Sequence, residues 1–387
     1  MQLSADKKEI LLQLSSWLQK QPSQYISVGG YAGTGKTTLI AILRTILYKK
    51  NPKLKIAFAS YTGKATQVLQ NFLKRSNSLY TKDFIGTIHS LIYTPIVSKE
   101  GIIVGWEKKQ KLEFNLIIID EASMVSQEIW EDLVSFNLPI IVFGDHGQLP
   151  PIGNSFSLMK NPDLKLETIH RQLENNPIIQ ISILAREKGI IPNKKFSPIV
   201  EKFSSKDPDA QERVGELLAS YTPETLILCG YNWTRVKLNQ EIRQILGFDE
   251  PQPQSGDRVI CLRNNHQQLI YNGMIGTIQN IKQIDENWYQ AEIKMDDRED
   301  LYSGKIAVNQ FNSSQGLNFT KNRKKTVQGD LFDYGYALTV HKAQGSQAKK
   351  VILFEQRFSK MNDDDWHRWL YTAVTRAEEE LYIIGNS

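Results

Sequence analysis

The sequence predicts an α/β protein built from two parallel-sheet domains in tandem, with a small hairpin inserted in the first and a small β-barrel in the second. Three observations carry this. Uninterrupted apolar runs, such as Leu116 to Ile119 and Ile140 to Phe143, alternate with helical stretches, the pattern of a parallel sheet covered on both faces. A glycine-rich loop joins an early strand to a helix. A second strand–helix series starts near Glu167 and is interrupted by short runs of period two.

Taken in order, Lys7 to Gln19 has apolar spacing of three and four and predicts an opening amphipathic helix. Tyr25 to Val28 is a strand, followed by GGYAGTGKTT and a helix over Leu39 to Tyr48. Lys55 to Ser60 is the next strand, and TGKATQVLQNFLKR a helix. Thr94 to Lys111 has two β-type segments around Lys99-Glu100-Gly101, which predicts a hairpin insertion over about 90–112. The first domain thus covers 1–166 and the second 167–387. In the second, Leu226 to Cys229 is a strand and RVKLNQEIRQIL a helix. From about 253 to 330 the runs RVICLR, GTIQNI, NWYQAEIKM and KIAVNQF, separated by turns such as Asn272-Gly273, predict the barrel. The α/β pattern resumes at Gly335 to Thr339, then VILFE, a helix near Trp366 to Thr375, and LYII.

Composition excludes several classes. At 387 residues and 41% hydrophobic content the chain can fill two cores, so general disorder is excluded. Two cysteines, Cys229 and Cys261, give neither a disulfide framework nor zinc spacing, and suggest a reducing compartment. No apolar run approaches the roughly 18 residues of a membrane span, and the opening MQLSADKKEILLQL lacks a signal-peptide core. The expectation is a soluble cytoplasmic protein, monomeric, without a membrane partner. A net charge of +5 permits an anionic partner without requiring one. The basic run Lys321 to Lys325 reads as a solvated loop.

The glycine loop carries the chemistry. Gly30 to Thr37 matches G-x-x-x-x-G-K-[ST] in full, between strand and helix. Gly30, Gly33 and Gly35 let backbone amides wrap phosphates, with Thr34 and Thr38 beside them. Lys36 reaches the β- and γ-phosphates, and the Thr37 hydroxyl is a Mg²⁺ ligand. Asp120-Glu121 ends the strand LIII, at the edge where open α/β sheets bind ligands. Asp120 would hold Mg²⁺, and Glu121 would polarise the attacking water. Phosphoryl transfer also draws on an arginine at the γ-phosphate, and no arginine sits close to the loop in sequence. Arg171 in HRQ and Arg376 in YTAVTRA are the candidates.

The ordered set GGYAGTGKTT, TGKAT, TIHS, IIIDEASM, FGDHGQLPP, HRQ, TVHKAQGSQ and LYTAVTRA, spread over about 25–382, resembles superfamily 1 DNA helicases of the RecD/Dda type. The resemblance implies two RecA-like domains, ATP and Mg²⁺ as cofactors, and 5′–3′ movement on single-stranded and forked DNA. It implies that Gln148 senses the γ-phosphate and that Arg171 and Arg376 are presented by the second domain, with Gly345 at the nucleotide. Thr62, Lys64, Thr87 and His89 would line the strand path on the first domain, and Thr339, His341 and Lys342 on the second. The hairpin corresponds to a duplex-splitting wedge. Trp106 either stacks on the junction base pair or packs beneath the hairpin. The barrel resembles the insertion that closes over the strand.

Two departures stand out. Lys7 occupies the place of an adenine-reading glutamine, which leaves nucleobase preference open. Ala343 and Gln347 replace a usual serine and a frequent acidic residue. Two other functions fit the same parts: a translocase without strong unwinding, acting on DNA or RNA, and a nucleotide-driven clamp that barely hydrolyses. The compact length suits a stand-alone motor of bacterial or phage type.

Overall fold

The structure is a computed structural model that describes residues 3–97, 103–150, 156–167, 176–265, 268, 270–296, 300–314 and 328–385. Lys99-Glu100-Gly101, Arg171 and Lys321 to Lys325 therefore lie outside the described residues. The chain forms two compact units, Met1–Ile179 and Gln180–Ser387. The expected junction at 166/167 coincides with the end of a strand, and the division falls further on, inside the helix Pro177–Lys188.

The first unit contains α1 (Ala5–Lys20), β1 (Tyr25–Gly30), α2 (Lys36–Lys50), β2 (Ile56–Ser60), α3 (Gly63–Arg75), β3 (Phe84–Thr87), α4 (Ile88–Ile92), β4 (Tyr93–Val97), β5 (Ile103–Lys108), β6 (Leu116–Asp120), α5 (Gln127–Val134), β7 (Ile140–Gly144) and β8 (Leu164–Leu166). Six of its strands form one sheet in the order β3-β2-β6-β7-β1-β8, and every pairing is parallel. The run LIIID explains why its periodicity is hidden: alternate residues face opposite, equally dry sides. Leu116 and Ile118 pack with Leu14 and Trp17 of α1, Leu39 and Leu43 of α2 and Leu69 of α3. Ile117 and Ile119 pack with Leu91 of α4 and Trp130 and Leu133 of α5. The expected hairpin is present as the antiparallel pair β4–β5.

The second unit begins in α6 (Pro177–Lys188), followed by β9 (Lys194–Ser197), β10 (Val200–Ser204), α7 (Ala210–Ala219), β11 (Thr225–Cys229) and α8 (Asn232–Ile245). The insertion holds β12 (Arg258–Cys261), β13 (Ile275–Gln283), β14 (Trp288–Met295), β15 (Leu301–Ala307) and β16 (Phe332–Tyr334). The chain then completes the larger sheet with β17 (Ala337–Thr339), β18 (Ala348–Phe354), α9 (Asp363–Val374) and β19 (Ala377–Gly385). The sheet order is β17-β11-β18-β19-β10-β9, parallel except at β9.

The insertion is an antiparallel sheet, β15-β14-β13-β12-β16. A parallel bridge between Ile306 and Asp330, just ahead of β16, brings its two edges together as a small barrel. The run KIAVNQF, expected as one strand, is divided: β15 stops at Ala307 and Val308–Gln310 turns as a 3-10 helix. Val308 still adds a rung in register with β14, its amide donating to Asn287 O at 2.9 Å, before the chain turns away. Where the barrel leaves the α/β unit, Arg243 donates to Asp257 (2.8 and 3.0 Å) and to the Glu250 and Gln252 carbonyls. Tyr336 adds a hydroxyl to the same carboxylate at 2.8 Å. That buried charge is thus fully hydrogen-bonded, as its burial requires.

Candidate nucleotide site and nucleic-acid face

The phosphate loop is the turn between β1 and α2. Gly33 (φ 79°) and Gly35 (φ 82°) take the left-handed region, and Gly35 caps α2. A side chain at Gly30 is sterically barred, since a Cβ there would stand 2.7 Å from Thr34 Oγ1. Thr34 is fully buried, its hydroxyl donating to Tyr31 O at 2.8 Å. Lys36 donates from Nζ to Gly30 O (2.7 Å) and Tyr31 O (3.2 Å), within the loop's own curve. Thr37 and Thr38 lie in the first turn of α2, where helix amides have no intrahelical partner. Tyr31 leans on His146, ring centroids 4.1 Å apart, joining the loop to the segment after β7.

The carboxylates stand where the sequence puts them, at the end of β6, two strands from β1 in the sheet order. That is about 10 Å of strand spacing. Burial first, and then Glu121, push the Asp120 carboxyl up to about 7, while Lys36 pulls the other way. The Lys36 charge is therefore felt at Asp120. Glu121 adopts a left-handed backbone (φ 55°, ψ 41°), uncommon for a residue with a side chain. The reversal ends the strand and starts the 3-10 turn Ala122–Met124. Glu121 Oε2 is buried without a hydrogen-bond partner. A buried acceptor of this kind suits a group that arrives with substrate. After β7, Asp145 accepts from Gly147 N (2.9 Å) and from Gln148 Nε2 (3.3 Å), which fixes the Gln148 amide beside the same sheet edge.

The Mg²⁺ expected at Thr37 and Asp120 is tested by this donor set. Both offer hard oxygens, and a divalent cation would favour the ionised form that burial opposes at Asp120. Among the described residues no cluster of three or more metal-capable His, Cys, Asp or Glu exists. Mg²⁺ held through one carboxylate and substrate phosphates needs none. The residues fit.

In the second unit Arg376 is 3% exposed at the junction of α9 and β19. Its guanidinium donates to Thr372 O (2.9 Å), Ser346 O (3.1 Å) and Thr375 Oγ1 (3.2 Å). It is therefore tied to the segment holding Gly345, itself left-handed (φ 75°). Arg171, the other candidate, lies outside the described residues.

The residues expected on the strand path separate by role. Thr62 ends the short turn after β2, and Thr87 is the last residue of the adjacent strand β3, where it pairs with Ser60. Both hydroxyls cap helices, accepting from Ala65 N (3.2 Å) and Ser90 N (3.1 Å). Lys64 sits in the first turn of α3. His89, on α4, is packed between Tyr93 (4.6 Å) and Trp106 (4.5 Å, edge-on), and burial lowers its basicity. Of the two alternatives for Trp106, the structure shows a packing contact, its ring meeting His89 edge-on. Thr339, the last residue of β17, is buried, and beyond it His341 is made less basic by burial and Lys342 donates to Asn272 Oδ1 at 3.1 Å. Ala343 is fully buried, where a serine hydroxyl would need a partner. Lys7, the departure on α1, is 1% exposed, and burial lowers its pKa.

Sequence reasoning missed the anchor of the hairpin. Tyr93 donates to Asp132 on α5, and Lys108 donates to the same carboxylate at 3.2 Å. Lys109 closes α4 by donating to Ser90 O and Leu91 O, both at 2.9 Å. Asp145 was missed too, although an Asp three residues before Gln148 is the available signal. No described helix is long and apolar enough to cross a membrane.

A family model described as an AAA domain matches residues 14–154, and one described as a UvrD-like helicase C-terminal domain matches 334–384. The RecBCD enzyme subunit RecD of Buchnera aphidicola is 24% identical over 93% of this chain and 70% of its own length. The ATP-dependent RecD2 DNA helicase of Deinococcus radiodurans is 24% identical over 100% of the chain, which spans 49% of that relative. In structure, a Bacteroides Pif1 helicase solved with ADP-AlF3 and single-stranded DNA superposes with TM-score 0.55 at 19% identity, covering 99% of this chain and 92% of that one, a likeness of fold. With a phosphate loop and acidic pair in one parallel-sheet unit and a tethered arginine in the other, the chain carries an AAA domain and a UvrD-like helicase C-terminal domain and is similar in sequence to the RecD proteins named above.

Proposed function

We propose that the chain hydrolyses ATP and uses the cycle to move 5′–3′ along single-stranded DNA, unwinding duplex at a fork. The observation that carries it is the grouping of Lys36, Asp120, Glu121 and Gln148 at one carboxyl edge of one sheet. Lys36 and the loop amides bind the triphosphate. Glu121, held by its left-handed backbone, orients the attacking water and takes its proton. Thr37 and Asp120 would hold Mg²⁺, which supplies charge neutralisation at the phosphates when bound. Arg376 is the proposed source of positive charge at the γ-phosphate, a contribution of roughly 10³ to 10⁵ in rate. Gln148 reports the γ-phosphate to strand-binding residues, and the strand is gripped by amides of α3 and α4 with Lys64 in one unit and by Thr339, His341 and Lys342 in the other. The RecD2 helicase named above is ATP-dependent and acts on DNA, which supports the choice of substrate. The chain works as a monomer, in this proposal.

Strand displacement on forks with 5′ or 3′ single-stranded tails, in DNA and RNA, tests motor, substrate and direction together. Unwinding of 5′-tailed DNA forks is expected, and unwinding of 3′-tailed forks alone would overturn the polarity. The edge-on contact of Trp106 with His89 supports a second reading, in which the indole braces the hairpin and the chain is a translocase with weak unwinding. Strand-stimulated ATP turnover without displacement would select it. An unstimulated, slow turnover would indicate a nucleotide clamp instead.

A further inference from the structure

The larger sheet of the second unit reverses direction between β11 and β18. From β11 the chain moves on to β17 at one side, and from β18 to β19 at the other. Right-handed crossovers then put α8 and α9 on opposite faces. Leu238 and Ile242 of α8 indeed join a core cluster that contains no residue of α9. Such a reversal opens a crevice beyond the carboxyl ends of the two strands, the usual ligand position in open α/β sheets. A pocket of about 640 Å³ lies there, lined by Tyr231, Gln356, Trp366 and the buried ion pair Lys202–Glu355.

Beside it stands an indole in water. Trp233 is 61% exposed and stacks on Tyr231, centroids 5.9 Å apart and planes 26° apart. Its backing is rigid. Tyr231 donates its hydroxyl to Arg357 O (3.3 Å) and its amide to Gln356 Oε1 (3.3 Å), and Phe358 meets it edge-on at 4.7 Å. Gln356 also accepts from Gly230 N (3.0 Å) and donates to Thr234 Oγ1 (3.0 Å). Tyr231, the ring on which Trp233 stacks, is thus held by groups from the ends of two strands and the start of α8. The backing ring therefore has little side-chain freedom left to lose on binding. One strand away, β17 ends in Thr339, so the platform continues the edge assigned above to strand phosphates.

We propose that Trp233 is a stacking platform for one unpaired base of the tracked strand, with the crevice receiving that base's edge. This rests on the strand-tracking function proposed above. Base–aromatic stacking tolerates any base, which suits a motor that must pass every sequence.

The test measures equilibrium binding of a labelled oligothymidylate, and of the same strand with abasic residues, to the full chain. Trp233→Ala is expected to bind the intact strand about ten-fold more weakly, the weight of one base stack. Its penalty for abasic residues should shrink by the same factor, and Trp233→Phe should restore both. Unchanged affinity of Trp233→Ala, with an unchanged melting temperature, would overturn the proposal. So would equal weakening on intact and abasic strands, which points to positioning alone. If the wild-type chain binds no strand, strand tracking itself fails, and quenching of Trp233 by thymidine monophosphate would reassign the platform to free nucleotides.

Discussion

His89 presents its ring to the edge of Trp106, centroids 4.5 Å apart and planes at 85°, so the helix after β3 and the second arm of the hairpin share one aromatic contact. A double-mutant cycle on His89→Ala and Trp106→Ala should give a coupling of about 0.5–1.5 kcal/mol in unfolding free energy. Additive losses would mean that the indole serves something other than the hairpin base.

Lys36→Ala should abolish ATP turnover, because Lys36 is the cation of the phosphate loop. Single-strand binding at low salt should persist, as Lys64 and Lys342 are untouched. Turnover assayed beside filter binding checks both, and residual hydrolysis near the wild-type rate would exclude this loop as the site.

Arg376→Ala is expected to slow turnover by roughly 10³ or more while nucleotide binding survives. The structure adds a stability cost. Losing the guanidinium strands the Thr372 and Ser346 carbonyls, worth about 1–3 kcal/mol if they stay dry. Turnover below the melting transition separates the two effects. A normal rate would mean that the wrong arginine has been chosen.

Asp120 predicts a pH dependence. Its folded-state pKa is raised toward about 7, above the ordinary value, so between roughly pH 4 and 7 the folded state binds the extra proton. Stability from this group is present at low pH and is lost as pH rises through 7. Asp120→Asn should therefore melt several degrees above the parent at pH 8, with the gap closing toward pH 4, while turnover disappears. Addition of Mg²⁺ with nucleotide should narrow the gap at pH 8. Calorimetry across pH reads this directly.

Lys342→Gln should reduce the salt dependence of strand binding by about one counterion. Asn272→Ala, which removes only the acceptor that Lys342 meets, should leave that slope unchanged. Equal slopes for all three proteins would remove Lys342 from the phosphate path.

The two sheets were legible because five-residue dry strands such as Leu116–Asp120 and Ile140–Gly144 have no alternative use in a chain of this composition. The phosphate loop was legible because glycine is strongly favoured where φ is positive, as at Gly33 and Gly35. Less visible were elements whose logic is tertiary. The strand β8 has three residues and exists through its pairing with Val28, Gly29 and Gly30 of β1. Asp132 anchors the hairpin across a sequence gap that no periodicity spans. The helix-capping use of Thr62 and Thr87 was hidden for another reason: a short hydroxyl beside a phosphate path and one at a helix start look alike in sequence.

The barrel joins its host through β12 and β16, antiparallel neighbours in which Val259 pairs with Tyr334. Its two ends therefore sit side by side. Whatever lies between them can be lengthened, trimmed or exchanged with little strain on the host sheet. The insertion is in this sense a cassette, and relatives sharing the engine are free to differ in what they mount there.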